Sequence, residues 1–154
     1  MGGNDAFIVL KDANLEWAVD CAYRSRILNA GQACNGAKRF IITAPVYDRF
    51  KEMLIEKIKK NTVIGDPMDR SVNLGPLVTE RQLEILQYQI GQAQGEGGGR
   101  HLYGDFDLKK NRPDLEAGNY SDVHVLEGIN PDSNIYNEEF FGPVFNLFKV
   151  GDSK

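Results

Sequence analysis

The chain has 154 residues, the length of one domain, and can enclose a sizeable core. Its apolar fraction of 42% and charged fraction of 26% are those of an ordinary globular protein, and no apolar run approaches the ~18 residues of a membrane span. A net charge of −4, with cations dispersed apart from the helix-end run Lys57 to Lys60, argues against a nucleic-acid partner.

In chain order, "AFIVL" (Ala6 to Leu10) is a continuous apolar run, as expected of a strand buried on both faces. A helix follows "KDAN", where Asp12 or Asn14 can cap it, and its apolar stripe is Leu15, Ala18, Val19, Ala22 and Ile27. Cys21 falls beside that stripe and reads as a core packing residue. "RFIIT" (Arg39 to Thr43) is β-branched and aromatic, the composition of a strand. Pro45 then opens a second helix with Val46, Phe50, Met53, Leu54 and Ile58 at helical spacing.

A third helix is predicted from Thr79 through Ala93, with Leu83, Leu86 and Ile90 on one face. The cluster "GEGGGR" that follows stands between a helix and the strand-like "RHLYG", the reverse of phosphate-loop order, and reads as a helix stop. A polar loop from Asp105 to Gly118, a strand near "YSDVHVLEG" and a Gly-Pro turn leading into a last apolar strand complete the chain. Strands alternating with helices predict a three-layer α/β/α domain with a mostly parallel sheet. The chain starts almost inside its first strand and stops directly after its last, as expected of a domain cut from something larger.

The cysteine and histidine content is small. Cys21, Cys34, His101 and His124 show no zinc-ligand spacing, so no metal is expected. The absence of a disulfide framework or a signal peptide points to a reducing, cytoplasmic setting. Cys34, in contrast to Cys21, lies in "ILNAGQACNGAKRF" among small and amide residues. A nucleophilic cysteine must reach a substrate, have a lowered pKa and face donors for the oxyanion it creates. Gly31 and Gly36 permit close backbone approach, and small neighbours leave the sulfur uncovered. The bland alternative is a small hydrophobe in a turn.

Four motifs carry a resemblance. "NAGQACNGAKRF" is similar to the active-site cysteine motif of the aldehyde dehydrogenase superfamily, G-Q-x-C followed by small residues and a basic residue. "GGNDAFIVLKDANLEWAV" resembles that family's glycine pair with the strand and helix after it. "IGDPMDRSVNLGPLVTERQ" resembles its G-x-P…G-P-x segment, and "NEEFFGPVFNLFKV" its E-E-x-F-G-P motif. All stand in the family's order and span nearly the whole chain. The pairing of "GQAC" with "AKRFII" is similar to the succinate-semialdehyde dehydrogenase branch.

The resemblance implies that residues 1–154 form an incomplete catalytic domain, truncated at both ends, without the cofactor-binding domain. It implies a small-molecule aldehyde substrate, attacked by Cys34 to give a thiohemiacetal and, after hydride transfer to NAD or NADP, a thioester. Glu139 matches the glutamate that hydrogen-bonds the nicotinamide ribose, Phe141 the aromatic near the nicotinamide, and Gln82 a position that touches the cofactor in some members. The full-length enzyme is expected to be a homo-oligomer. Apart from the motif, Glu138 and Glu139 read equally as a solvated acidic pair, and Phe140 and Phe141 as core.

One departure bears on activity. The family's general base is a glutamate just before Leu-Gly-Gly, and here only Met1 precedes Gly2 and Gly3. Losing a general base costs ~10²–10⁴-fold in rate. The family's asparagine oxyanion donor and Rossmann domain also lie outside the matched stretch. The expectation is a segment that neither binds cofactor nor turns over alone; the alternative is a non-catalytic α/β module kept for interaction or folding.

Overall fold

The structure, a computed structural model, describes residues 2–151; Met1, which precedes the glycine pair, lies outside them. Its elements are β1 (Ala6–Val9), α1 (Leu15–Ile27), β2 (Arg39–Thr43), α2 (Ala44–Asn61), α3 (Glu80–Gln94), β3 (Arg100–Tyr103), α4 (Leu108–Asn111), β4 (His124–Glu127) and β5 (Val144–Val150). Short 3₁₀ turns occupy Leu28–Gly31, Pro113–Leu115 and Asn134–Asn137.

The helices begin where side chains satisfy their free N–H groups. Asn14, not Asp12, caps α1, its Oδ1 accepting from the Trp17 amide at 3.1 Å. Pro45 sits in the first turn of α2, and the Thr79 hydroxyl caps α3 by accepting from the Gln82 amide at 3.2 Å. The expected stripes are buried: Val19, Ala22 and Ile27 on α1, Phe50, Leu54 and Ile58 on α2, Leu83, Leu86 and Ile90 on α3. Two residues were not foreseen in them. Tyr47 joins the α2 stripe, and Arg26 lies fully buried on the α1 face one turn beyond Ala22. Cys21 is half-buried at the edge of that face, not in the core.

The five strands order as β1-β2-β5-β4-β3, with β1, β2, β5 and β4 parallel and β3 antiparallel to β4. Side chains alternate across the sheet. Phe7, Phe40 and Phe145 stack on one face, ring centroids 5.6 and 5.0 Å apart, beneath α2, against which α1 packs. Glu127 belongs to this face and takes the Tyr47 hydroxyl (2.8 Å) and the Lys51 ammonium (3.1 Å) of α2. Phe148 points the other way and meets Tyr136 edge-on at 5.1 Å; α3 packs against that same 134–137 turn and against β3. The result is a helix–sheet–helix sandwich, as the alternation predicted.

Two expectations change. β1 is an edge strand exposed on one face, with Ala6 and Ile8 open to solvent (Ile8 63% exposed), because β2 is its only partner among the described strands. Its apolar run therefore does not mark burial on both faces. The polar stretch after Asp105 is partly ordered into α4 and a 3₁₀ turn. Asp105 organises it, its amide donating to Asp122 Oδ2 (2.8 Å) and its Oδ2 accepting from Asn111 Nδ2 (2.7 Å).

Beside that stretch, His101 Nε2 and His124 Nδ1 share a hydrogen bond of 3.0 Å, with the Phe106 ring against both. Burial pushes the His124 imidazole down to about 4, and the neighbouring His101 adds to the shift. An unfolded histidine titrates near ~6.5. Between those values the unfolded chain binds the proton and the folded chain does not, so this contribution is intact above pH ~6.5 and lost as pH falls toward ~4. The loss amounts to roughly 3 kcal/mol. Urea unfolding from pH 7.5 to 4.5 should therefore fall less steeply in His124→Asn than in the parent; equal slopes would refute the assignment.

Candidate active site

Three chain segments converge at the amino ends of the parallel strands: residues 2–5 before β1, residues 28–38 before β2, and residues 138–143 before β5. The cysteine segment begins with a left-handed turn. Asn29 (φ 52°), Ala30 (φ 53°) and Gly31 (φ 74°) lie in succession at positive φ, which costs on the order of 1 kcal/mol for each non-glycine residue. Reciprocal side-chain bonds hold it, Asn29 Nδ2 to Gln32 O and Gln32 Nε2 to Asn29 O, both 3.1 Å. Gly31 is required twice over, since a Cβ there would run into the Gly142 carbonyl. Gln32 Oε1 also accepts from the Val78 amide at 3.0 Å, which docks the "NLGPLV" segment beside the turn. Cys34 follows with its side chain exposed.

Arg26 locks this turn to the distant 138–143 segment. Its Nε donates to Gly142 O (2.9 Å), Nη1 to Ala37 O (2.8 Å), and Nη2 to Gly31 O (2.6 Å) and Phe140 O (2.8 Å), with a further close contact from Nη2 to Gly142 O. Burial lowers its pKa to about 10 while the nearby Glu139 charge raises it, so the guanidinium stays charged at neutral pH. Ser25 adds a bond from the Ala37 amide to its hydroxyl at 3.1 Å.

A second buried cation lies under Cys34. The Lys38 ammonium donates to Ala33 O (2.6 Å) and Cys34 O (2.8 Å) and pairs with Glu139 Oε1 at 2.9 Å. The Lys38 side chain is fully buried, and that of Glu139 is 21% exposed. Glu139 Oε2 accepts from the Gly3 amide at 3.1 Å. The glycine pair fits where no side chain would: a Cβ on Gly3 would lie 2.8 Å from Cys34 O, and one on Gly2 would collide with Glu139 Oε2. Glu139 thus balances the Lys38 charge directly, and its charge is also felt by the buried Arg26 guanidinium.

The residues singled out in the sequence thus fall into one neighbourhood. Glu139 is an ion-paired group, not a freely solvated acid. Its neighbour Glu138 is exposed and accepts from Gln89 Nε2 at 3.0 Å. Phe140 is core, whereas Phe141 is half-buried, so the two phenylalanines part company. Gln82 meets this segment through its Nε2, which donates to Phe141 O at 3.2 Å and fixes the backbone beside the aromatic ring. Arg26 and Lys38 were not read as site residues. Arg26 carried a signal, a charge at i+4 from Ala22 on an apolar stripe; Lys38 carried only its place as the basic residue ending the cysteine motif.

The sequence profile of the Aldehyde dehydrogenase family matches residues 1–154. The chain belongs to the aldehyde dehydrogenase family. It is 37% identical over 157 aligned residues to a succinate-semialdehyde dehydrogenase [NADP(+)] of Mycobacterium ulcerans, covering 99% of this chain and 31% of that protein. A benzaldehyde dehydrogenase of Bacillus subtilis is 36% identical over 97% of the chain and 28% of its own length. Among solved structures, a succinic semialdehyde dehydrogenase from Streptococcus pyogenes in complex with NADP+ superposes with a TM-score of 0.87 at 36% identity, over 99% of this chain and 32% of that one. The structure of a 3,6-anhydro-L-galactose dehydrogenase gives a TM-score of 0.91 at 34% identity, over 99% and 31%. The chain spans about three tenths of the length of these relatives.

The Arg26 bonds generate a stability prediction for this aldehyde dehydrogenase segment. Arg26→Met strips the donor from the carbonyls of Gly31, Ala37, Phe140 and Gly142 and should cost ~3–5 kcal/mol. Arg26→Lys, with three donors, should recover part of it. Urea midpoints measure both, and an Arg26→Met midpoint equal to the parent's would contradict the role.

Proposed function

We propose that this chain carries the nucleophile-bearing part of the catalytic domain of an NAD(P)-dependent aldehyde dehydrogenase, with Cys34 as nucleophile and Glu139 as the ribose ligand. The observation that supports it best is the joint anchoring of both groups: Arg26 and Lys38 bind the Cys34 turn and the Glu139–Pro143 segment into one unit. A reaction limited by geometry needs that rigidity between nucleophile and cofactor.

In this reading the Cys34 thiolate adds to the aldehyde carbon, forming a C–S bond as the carbonyl π bond opens to an oxyanion. Collapse of the oxyanion re-forms C=O and expels hydride, so the carbon is oxidised by two electrons to a thioester on Cys34. The nicotinamide supplies the hydride acceptor. Water then adds, the C–S bond breaks, and carboxylate leaves as the thiol is restored. Glu139 fits the cofactor's sugar: each oxygen meets one partner, Lys38 or Gly3, and a carboxylate has lone pairs left for a hydroxyl donor. The partly open Phe141 supplies an apolar surface for the nicotinamide ring, and Gln82 holds its backbone. Relatives named for succinate semialdehyde and NADP(+) support those as substrate and cofactor.

An activated ester tests the nucleophile without any cofactor. p-Nitrophenyl acetate should release a burst of about one equivalent of p-nitrophenolate per chain and then turn over slowly, the signature of an accumulating acyl-enzyme. The burst should survive Cys21→Ser and vanish in Cys34→Ala. A burst that persists in Cys34→Ala, or acetate found on Cys21, removes the proposal.

A further inference from the structure

The geometry points to Lys38 as a positioning residue that couples the peptide of the nucleophile to the Glu139 carboxylate, so that whatever engages Glu139 is felt at Cys34. This rests on the roles proposed above for those two residues. The Lys38 ammonium donates to Ala33 O at 2.6 Å and Cys34 O at 2.8 Å, and its charge is paired with Glu139 Oε1 at 2.9 Å, a buried oxygen that accepts no hydrogen bond. Its side chain is fully buried, so bulk water does not replace any of the three. Glu139 is the carboxylate that balances its charge, and a buried ammonium is strongly sensitive to its counter-ion. The route from carboxylate to nucleophile is one ammonium long and ends on the carbonyl of Cys34 itself.

The opposite wall makes the coupling stiff. Glu139 Oε2 is held by the Gly3 amide, and the Gly3 backbone lies so close to Cys34 O that a Cβ would stand 2.8 Å from it. The carboxylate is thereby clamped between Lys38 and Gly3. A sugar hydroxyl donating to a free lone pair of Glu139 draws off negative charge that balances the ammonium, and the ammonium answers by tightening or loosening on the Cys34 carbonyl. A lysine kept for stability alone has no need of such a connection, because apolar replacement of buried ion pairs is often neutral or stabilising.

The test reads thiol reactivity, not turnover. In a Cys21→Ser background, Cys34 is alkylated with iodoacetamide and the second-order rate constant measured. Glu139→Gln should change that rate by about threefold or more when Lys38 is present, and leave it unchanged in Lys38→Met, a coupling within the range of contacting residues. The amide resonance of Asn35, whose peptide group contains the Cys34 carbonyl, should move on Glu139→Gln with Lys38 present and stay still without it. Equal effects of Glu139→Gln in both backgrounds, or none in either, overturn the inference. If Lys38→Met does not fold, Lys38→Gln, which keeps donors without the charge, takes its place. The outcome of Glu139→Gln alone remains decisive: no change at Cys34 refutes the coupling. Iodoacetamide needs no aldehyde chemistry, so a missing ester burst with intact coupling counts against the proposed function only, and a normal burst without coupling counts against Lys38 only.

Discussion

Everything at the amino end of this sheet hangs on one guanidinium. Arg26 donates to carbonyls of residues 31, 37, 140 and 142, joining two segments more than a hundred positions apart in the chain. Arginine suits the task because its planar fork directs several N–H groups at fixed angles and it remains charged when dehydrated. A lysine there would serve fewer carbonyls, and an apolar residue would take the side-chain donor from all four in a dry interior, leaving Gly142 O only the Val144 amide. Burial of the charge is costly in itself. Loss of these donors would leave buried carbonyls under-satisfied, a cost of similar size.

The same fan of bonds explains how a strained turn can stand beside Cys34. Three successive left-handed residues, two of them not glycine, do not form unaided. Here the turn is over-determined: Arg26 takes the Gly31 carbonyl, Asn29 and Gln32 bond each other across it, and the Gly142 backbone closes against Gly31 so tightly that a side chain has no room. The strain falls where the chain must turn sharply from the end of α1 to present Cys34, then return through Lys38 into β2. It is an observed outlier that leads to a functional idea, not a functional idea in search of strain.

Much of the fold was legible because its signals are local. Helix stripes at 3.6 spacing, an asparagine as a cap, and proline in the first turn of α2 are all statements about neighbours in sequence. The errors came from tertiary context. The apolar run of β1 reads as doubly buried, but exposure of Ile8 depends on what lies beyond the sheet edge, which no local pattern encodes. Asp105 orders a polar stretch through Asp122, seventeen positions away. At the site, the motif positions Cys34, Glu139, Phe141 and Gln82 do converge, whereas Arg26 and Lys38 stayed hidden. A charged residue is ordinarily assigned to solvent, and only the carbonyls waiting for Arg26 reverse that assignment.

Positioning is local to this stretch: Arg26, Lys38, Gly3 and Gln82 are all within it, and each bonds backbone or carboxylate atoms of the segments that carry Cys34, Glu139 and Phe141. Preorganised dipoles and charges need no rearrangement at the moment they act, so the mutual geometry of these three segments is fixed by bonds the folded stretch already holds.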